Sequence, residues 1–251
     1  MNSENPTLAY LFRRFLATRL IDNVPKGRFL EVGVGVGLFY EELLQRGFSG
    51  TCLDLNGALI EVHQMRNRCK LSSIEFRQAN FFELKEEFDL LVAFEVLEHY
   101  ERDLECLKAW SRLLKPGGIL LLSVPAHMKL WTSNDTRAGH ARRYEHAELR
   151  TRLNSCGFLI EEFWCYGFPV LNLTYRISSL FKNGELAPAL HDPLMTDCGK
   201  TSMSGRRKFP LLSKLLFREW MWKLALWVQP LRQDLGTGYI VRSKKLARQG
   251  T

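Results

Sequence analysis

Residues 29–37 read Phe-Leu-Glu-Val-Gly-Val-Gly-Val-Gly, an apolar run that meets an acidic residue and then three glycines spaced two apart. A strand ending at Val32 delivers the chain into a tight turn, where glycine permits positive φ and lets backbone approach a ligand with no Cβ in the way. A helix follows, with Leu38, Phe39, Leu43 and Leu44 at helical spacing. Strand, glycine turn and helix in that order predict an α/β architecture and point to a nucleoside-bearing cofactor.

Two cofactor classes use such a turn. The dinucleotide fingerprint, counted from Gly33, wants a small residue at position 38 so that helix and strand pack closely, and Leu38 stands there. A second strand, Thr51-Cys52-Leu53-Asp54-Leu55, carries an acid 21 positions after Gly33, where a carboxylate can accept both hydroxyls of a ribose; this alone fits NAD as well. A third strand over 73–77 leads to Asn80 and Phe81, and a fourth over 88–94 leads to Glu95. A helix over 102–114 stops at Lys115-Pro116-Gly117-Gly118 before an apolar fifth strand over 119–124. Repeated strand and helix predict a doubly wound parallel sheet whose ligands lie outside the carboxyl ends of the strands.

Glu31-Val32-Gly33-Val34-Gly35-Val36-Gly37 resembles the E/D-x-G-x-G-x-G signature of class I S-adenosyl-L-methionine-dependent methyltransferases. The run F-D-L-L-V-A-F-E-V-L-E-H at 88–99 resembles a segment of small-molecule methyltransferases, those of ubiquinone biosynthesis among them. The resemblance covers residues 8–166 and the last strand. It implies a seven-stranded Rossmann-like sheet and S-adenosyl-L-methionine as cofactor, with Glu31 near the methionine amino group or the turn, Gly33, Gly35 and Gly37 beneath the cofactor, and Asp54 and Leu55 at the ribose. Asn80 and Phe81 then meet the adenine, by hydrogen bonding and by backbone contact or stacking, and Glu95 sits near the donor. Asn80 departs from the acid that many relatives carry there. An aromatic and arginine cluster, Tyr10-Leu11-Phe12-Arg13-Arg14, stands about 17 residues before Glu31, and Arg14 is expected either to pair with the methionine carboxylate or to be solvated.

The polar connection over 125–144 is longer than ordinary loops and carries Trp131, Asp135, His140, Arg143 and Tyr144. It resembles a G-H-x-R-R-Y segment of methyltransferases from cell-surface or natural-product glycan pathways. On that likeness Trp131, Arg143 and Tyr144 form the acceptor pocket; alternatively Arg142, Arg143 and Tyr144 only tie the loop down. If the acceptor is a hydroxyl, a general base must take its proton, with His140 first, His99 second and Asp135 as orienting partner. An unprotonated amine needs no base.

A sixth strand over 158–166 and a final strand over 238–243 complete the sheet. The resemblance implies that the final strand lies antiparallel between the fifth and sixth, so that 1–166 and 237–251 form the cofactor domain and 167–236 an inserted helical cap. Residues 200–232 carry eight basic residues against Glu219 alone, a balance of +7 in a chain of +8. The basic, Trp-rich helix expected over 211–228 admits three readings: a cap or dimer face, contact with an anionic membrane and a lipid-linked acceptor, or another anionic partner, nucleic acid included. Charges at 214, 218, 219 and 223 exclude a bilayer span. Six scattered cysteines without a C-x-x-C pair favour reduced thiols and a cytoplasmic setting, and argue against a zinc site. Asn5-Pro6 reads as the start of an amphipathic first helix bearing Leu8, Leu11, Phe12 and Phe15. The functional reading is methyl transfer to a small-molecule, sugar or lipid-linked acceptor; an RNA-directed enzyme and a noncatalytic protein of the same fold remain alternatives.

Overall fold

The computed structural model describes residues 8–35, 38–67, 72–169, 171–172 and 234–247. Gly37, the Asn5-Pro6 cap and nearly all of the predicted insertion with its basic helix lie outside them. Seven strands form one sheet: β1 (Arg28–Val32), β2 (Ser49–Asp54), β3 (Ile74–Gln78), β4 (Phe88–Phe94), β5 (Leu114–Pro125), β6 (Phe158–Tyr166) and β7 (Gly238–Lys245). Their order is β3-β2-β1-β4-β5-β7-β6. Strands β3 to β5 run parallel, and β7 is antiparallel to both β5 and β6, as expected from the sequence.

Helices cover both faces, which explains why the central strands read as unbroken apolar runs rather than alternating ones. Successive residues point to opposite sides. Leu30, Leu91, Leu120 and Leu122 pack with Trp110 and Leu107 of α4 (Asp103–Leu113) and with Leu149 and Leu153 of α6 (His146–Ser155). Phe29, Leu90 and Leu121 face the other way, toward α1 (Leu8–Leu20), α2 (Phe39–Gln45) and α3 (Gly57–Arg66). In α1 the buried stripe is Phe12, Leu16 and Leu20, at steps of four, whereas Phe15 is exposed. Lys115 to Gly118 do not form a separate loop; they belong to the start of β5, where the register with β4 shifts between Phe88 and Leu90.

The connection after β5 is ordered rather than open. It holds a 3-10 turn over Met128–Leu130 and the short helix α5 (Ser133–Ala138), closed at its start by a capping box between Thr132 and Asp135. Among the described residues no helix is long and apolar enough to cross a membrane.

Candidate active site

The glycine turn leaves β1 at its carboxyl end. Gly33 and Val34 both donate their amides to the Leu53 carbonyl of β2, at 2.8 and 3.0 Å, which bends the chain over that strand. Gly33 (φ +71°) and Gly35 (φ +51°) hold left-handed conformations, but for different local reasons. A Cβ on Gly33 would meet Val96 Cγ2 at 2.6 Å, whereas among the described residues one on Gly35 would meet nothing nearer than the Gly33 carbonyl at 3.9 Å. Among those residues the space above Gly35 is open, and that is where the backbone can approach a ligand.

Asp54 stands at the end of β2 and ties this turn to the next. Its Oδ2 accepts the Gly35 amide at 2.8 Å and its Oδ1 accepts the Asn56 amide at 2.9 Å. A carboxylate has about four lone-pair sites, so both oxygens retain acceptor capacity for ribose hydroxyls. Leu55 beside it is 49% exposed and offers an apolar surface at the same rim. Asn80 accepts the Phe82 amide at 3.1 Å and is half-buried. Phe81 corrects the stacking expectation: its ring is 3% exposed and packs against Tyr100 and Trp110, so no face is left for a base. The neighbouring Phe82 is the exposed ring.

Glu31 is buried, and burial raises its carboxyl to about 8, against the lowering effect of the Tyr40 backbone amide. The two arginines of α1 part company. Arg14, expected at the cofactor, pairs with Glu42 of α2 at 3.3 Å. Arg13, which sequence reasoning passed over, turns inward over the Phe94 ring and pairs with Glu95 at 3.2 Å. Glu95 itself has φ +55°, a strained state for a residue with a side chain, held by Ser123 Oγ at 3.0 Å and the Tyr166 hydroxyl at 3.4 Å.

Arg13, Glu95, Asp135, His140, Arg143 and Tyr166 all line one pocket of about 180 Å³ at the ends of β4 and β5. A larger hollow of about 900 Å³ opens near Arg28, Ser49 and Ser73, toward the opposite ends of the strands, and contains none of the expected site residues. The smaller pocket holds the expected residues Glu95, Asp135, His140 and Arg143, and a doubly wound sheet presents ligands at its carboxyl ends.

One wall is a fixed ion-pair system. Arg143 donates Nε to Asp135 Oδ1 and Nη2 to Oδ2, at 2.8 and 3.0 Å, with both side chains 2% exposed. His140 Nδ1 lies 3.0 Å from Asp135 Oδ1. Burial pushes the Asp135 carboxyl up, but hydrogen bonds from His140 and Arg143 outweigh it and hold the group well below the usual range. An ionised Asp135 only accepts, so Nδ1 carries a proton, and in the neutral ring Nε2 presents its lone pair. That Nε2 lies 3.9 Å from Glu98, whose two buried oxygens have no hydrogen-bond partner among the described residues. Burial first, then the charge of Glu95, pushes the Glu98 carboxyl well above its ordinary value. His99 meets His140 edge-on at 4.9 Å and is lowered to about 4 by burial and by His140. Glu98, His99 and His140 bring donor atoms within 4.8 Å of one another, a geometry able to hold a cation.

Two residues expected in the acceptor pocket turn out to support the loop. Tyr144 is fully buried and donates to Asp103 Oδ2 at 2.9 Å, so it has no surface for a substrate. Arg143 reaches the pocket wall, but its guanidinium is spent on Asp135 and on the Ala126 carbonyl at 3.1 Å. Trp131 does not line the pocket; its indole N–H donates to Thr136 at 3.3 Å. Ser123, Tyr166 and Arg13 were not anticipated. Only Arg13 left a trace, as the neighbour of Arg14.

The sequence profile of a family described as a methyltransferase domain matches residues 5–162. The ubiquinone biosynthesis O-methyltransferase of Xanthomonas campestris pv. campestris is 33% identical over 134 residues, 52% of this chain and 53% of the relative. The chain thus spans about half the length of the curated relatives it matches. Among solved structures, phosphoethanolamine N-methyltransferase 2 of Haemonchus contortus, in complex with S-adenosyl-L-methionine, superposes with a TM-score of 0.61 at 17% identity, over 94% of this chain and 52% of that one. The N-methyltransferase NodS of Bradyrhizobium japonicum, in complex with S-adenosyl-L-homocysteine, gives 0.53 at 22% identity over 64% and 80%. These likenesses establish the fold as that of class I methyltransferases, and a profile match over more than half of its length establishes that the chain belongs to the methyltransferase-domain family.

Proposed function

We propose that the chain is an S-adenosyl-L-methionine-dependent methyltransferase acting on a hydroxyl of a small molecule, with His140 as general base. The observation that carries the reading is the Asp135–His140 pair at the wall of the pocket, 3.0 Å apart, with Nε2 left as the basic atom. The similarity to O-methyltransferases supports the choice of oxygen as acceptor.

The bound cofactor supplies an electrophilic methyl group on a sulfonium centre. The chain supplies position, which is the larger contribution, worth roughly 7 to 11 kcal/mol for well-oriented reactants. The open backbone at Gly35 and the carboxylate of Asp54 suit the nucleoside, and Arg13 suits a carboxylate as partner. Asp135 fixes the His140 tautomer, and His140 Nε2 takes the acceptor proton as the hydroxyl oxygen becomes nucleophilic. His99, lowered to about 4, is too weak a base for that proton at neutral pH.

The test is release of S-adenosyl-L-homocysteine, followed by mass spectrometry, from wild type and His140→Gln with phenols, catechols, sugars and primary amines. Turnover of phenols or sugars that falls roughly 10² to 10⁴-fold in the variant is expected. Turnover confined to amines and indifferent to His140 would overturn the base and the hydroxyl together.

A further inference from the structure

Beyond the pocket, the last strands of the sheet meet at a second cluster. His127 follows β5 with φ +60°, a left-handed state that a side chain resists, and its ring is turned inward and is 2% exposed. The ring lies between two carboxylates: Nδ1 is 3.0 Å from Glu145 Oε2, and Nε2 is 3.4 Å from Asp234 Oδ1. Cys165, near the end of β6, is a free thiol facing the same space. Donor atoms of His127, Cys165 and Asp234 all lie within 4.8 Å of one another.

We propose that His127 Nε2, Cys165 Sγ and Asp234 Oδ1 form a binding site for a divalent transition metal of the zinc class. One nitrogen, one sulfur and one carboxylate oxygen are the donor types such an ion selects, and a thiolate and a carboxylate balance its charge. Two ligands at about 2.1 Å from a tetrahedral ion stand about 3.4 Å apart, which is the separation already present between Nε2 and Asp234. Glu145 occupies the supporting position: it accepts from Nδ1, so the proton is held on the far nitrogen and the lone pair of Nε2 is aimed at the site. The Glu145 carboxylate is itself fixed by the Met128 amide at 3.0 Å, and Asp234 by the Tyr239 hydroxyl at 2.5 Å.

Cys165 accepts the Gly236 amide at 3.1 Å, an interaction that favours the thiolate. Binding breaks the S–H bond of Cys165, forms a sulfur–metal bond and releases one proton to solvent. Water completes the fourth position. The three ligands come from the ends of β5 and β6 and from the approach to β7, so the ion would pin together the strands that close one edge of the sheet. The sequence offered no C-x-x-C spacing because these ligands are 38 and 69 positions apart.

The experiment titrates the whole chain with Co²⁺ and then displaces it with Zn²⁺. A near-ultraviolet thiolate-to-cobalt band, lost at one equivalent of zinc, is expected for wild type, and its absence would overturn the site. Cys165→Ser should abolish the band. Asp234→Asn, at an exposed position, and Glu145→Gln should weaken Zn²⁺ binding in calorimetry by roughly 10- to 100-fold. Should Cys165→Ser fail to fold, these two variants decide. Unchanged zinc affinity in Asp234→Asn and Glu145→Gln would place the ion elsewhere, with Glu98, His99 and His140 as the other cluster.

Discussion

The carbonyl of Gly35 accepts a hydrogen bond from His63 Nε2 at 2.8 Å, and this contact begins a buried relay. A carbonyl only accepts, so Nε2 carries the proton, and in the neutral ring Nδ1 takes one from the Tyr40 hydroxyl at 3.0 Å. Asn67 donates in turn to Tyr40 at 3.0 Å. Burial lowers the His63 pKa, which keeps the ring neutral and the relay in this one arrangement. The relay holds the glycine turn from behind, through the Gly35 carbonyl. His63→Leu should weaken S-adenosyl-L-methionine binding about tenfold, equivalent to about 1.4 kcal/mol, in calorimetry. Equal affinity in the variant would show that the turn holds itself.

Gly33 and Gly35, the two positive-φ glycines described in the turn after β1, should separate stability from binding. In Gly33→Ala the new methyl meets Val96, so we expect a loss on the order of 1–3 kcal/mol in denaturant unfolding as well as lost cofactor affinity. In Gly35→Ala the methyl enters open space, so affinity should fall much further than stability. A Gly35→Ala protein that binds normally would mean that no ligand occupies that space.

Replacing Tyr144 by Phe tests whether the residue supports the loop. The change removes the hydroxyl that donates to buried Asp103, which also pairs with Arg152 at 2.7 Å. Stability should fall by about 1–2 kcal/mol while KM for the acceptor stays constant. A raised KM at unchanged stability would return Tyr144 to the substrate.

Among the groups that make stability depend on pH, Glu31 and His99 act in opposite senses. Glu31, raised to about 8 in the fold, keeps a proton that the unfolded chain gives up above about 4.3, so its contribution drains away as pH rises toward 8. His99, lowered to about 4, refuses a proton that the unfolded chain takes up below about 6.5, so its contribution drains away as pH falls from there toward 4. Each slope is about 1.4 kcal/mol per pH unit. Glu31→Gln should therefore flatten the decline between pH 6.5 and 8 in chemical denaturation and, because its slope no longer opposes that of His99, steepen the loss of stability on acidification below about pH 6.5. An unaltered alkaline slope would remove Glu31 as its cause.

What the sequence displayed and what it hid follow from how far each interaction reaches along the chain. The glycine turn and Asp54 were legible because strand ends and turns are written in adjacent residues, whereas the antiparallel β7 followed only from the resemblance to class I methyltransferases. Arg13 and Arg14 were not separable, since neighbours on a helix differ by roughly 100° in direction and only the packed partner decides which turns inward. Phe81 and Tyr144 illustrate the same limit: an aromatic at a strand end or in a loop looks alike whether it meets solvent or core. The His63 relay was invisible because positions 35, 40, 63 and 67 become neighbours only once α2 and α3 lie on the sheet.

Strand β7 lies between β5 and β6. Tyr166 on β6 reaches Glu95 beyond β4 only when β7 fills the gap between their two halves of the sheet. Ser123 of β5, Tyr166 of β6 and Arg13 of α1 all bond to Glu95, so the geometry at that side chain is fixed by a strand that supplies none of these bonds.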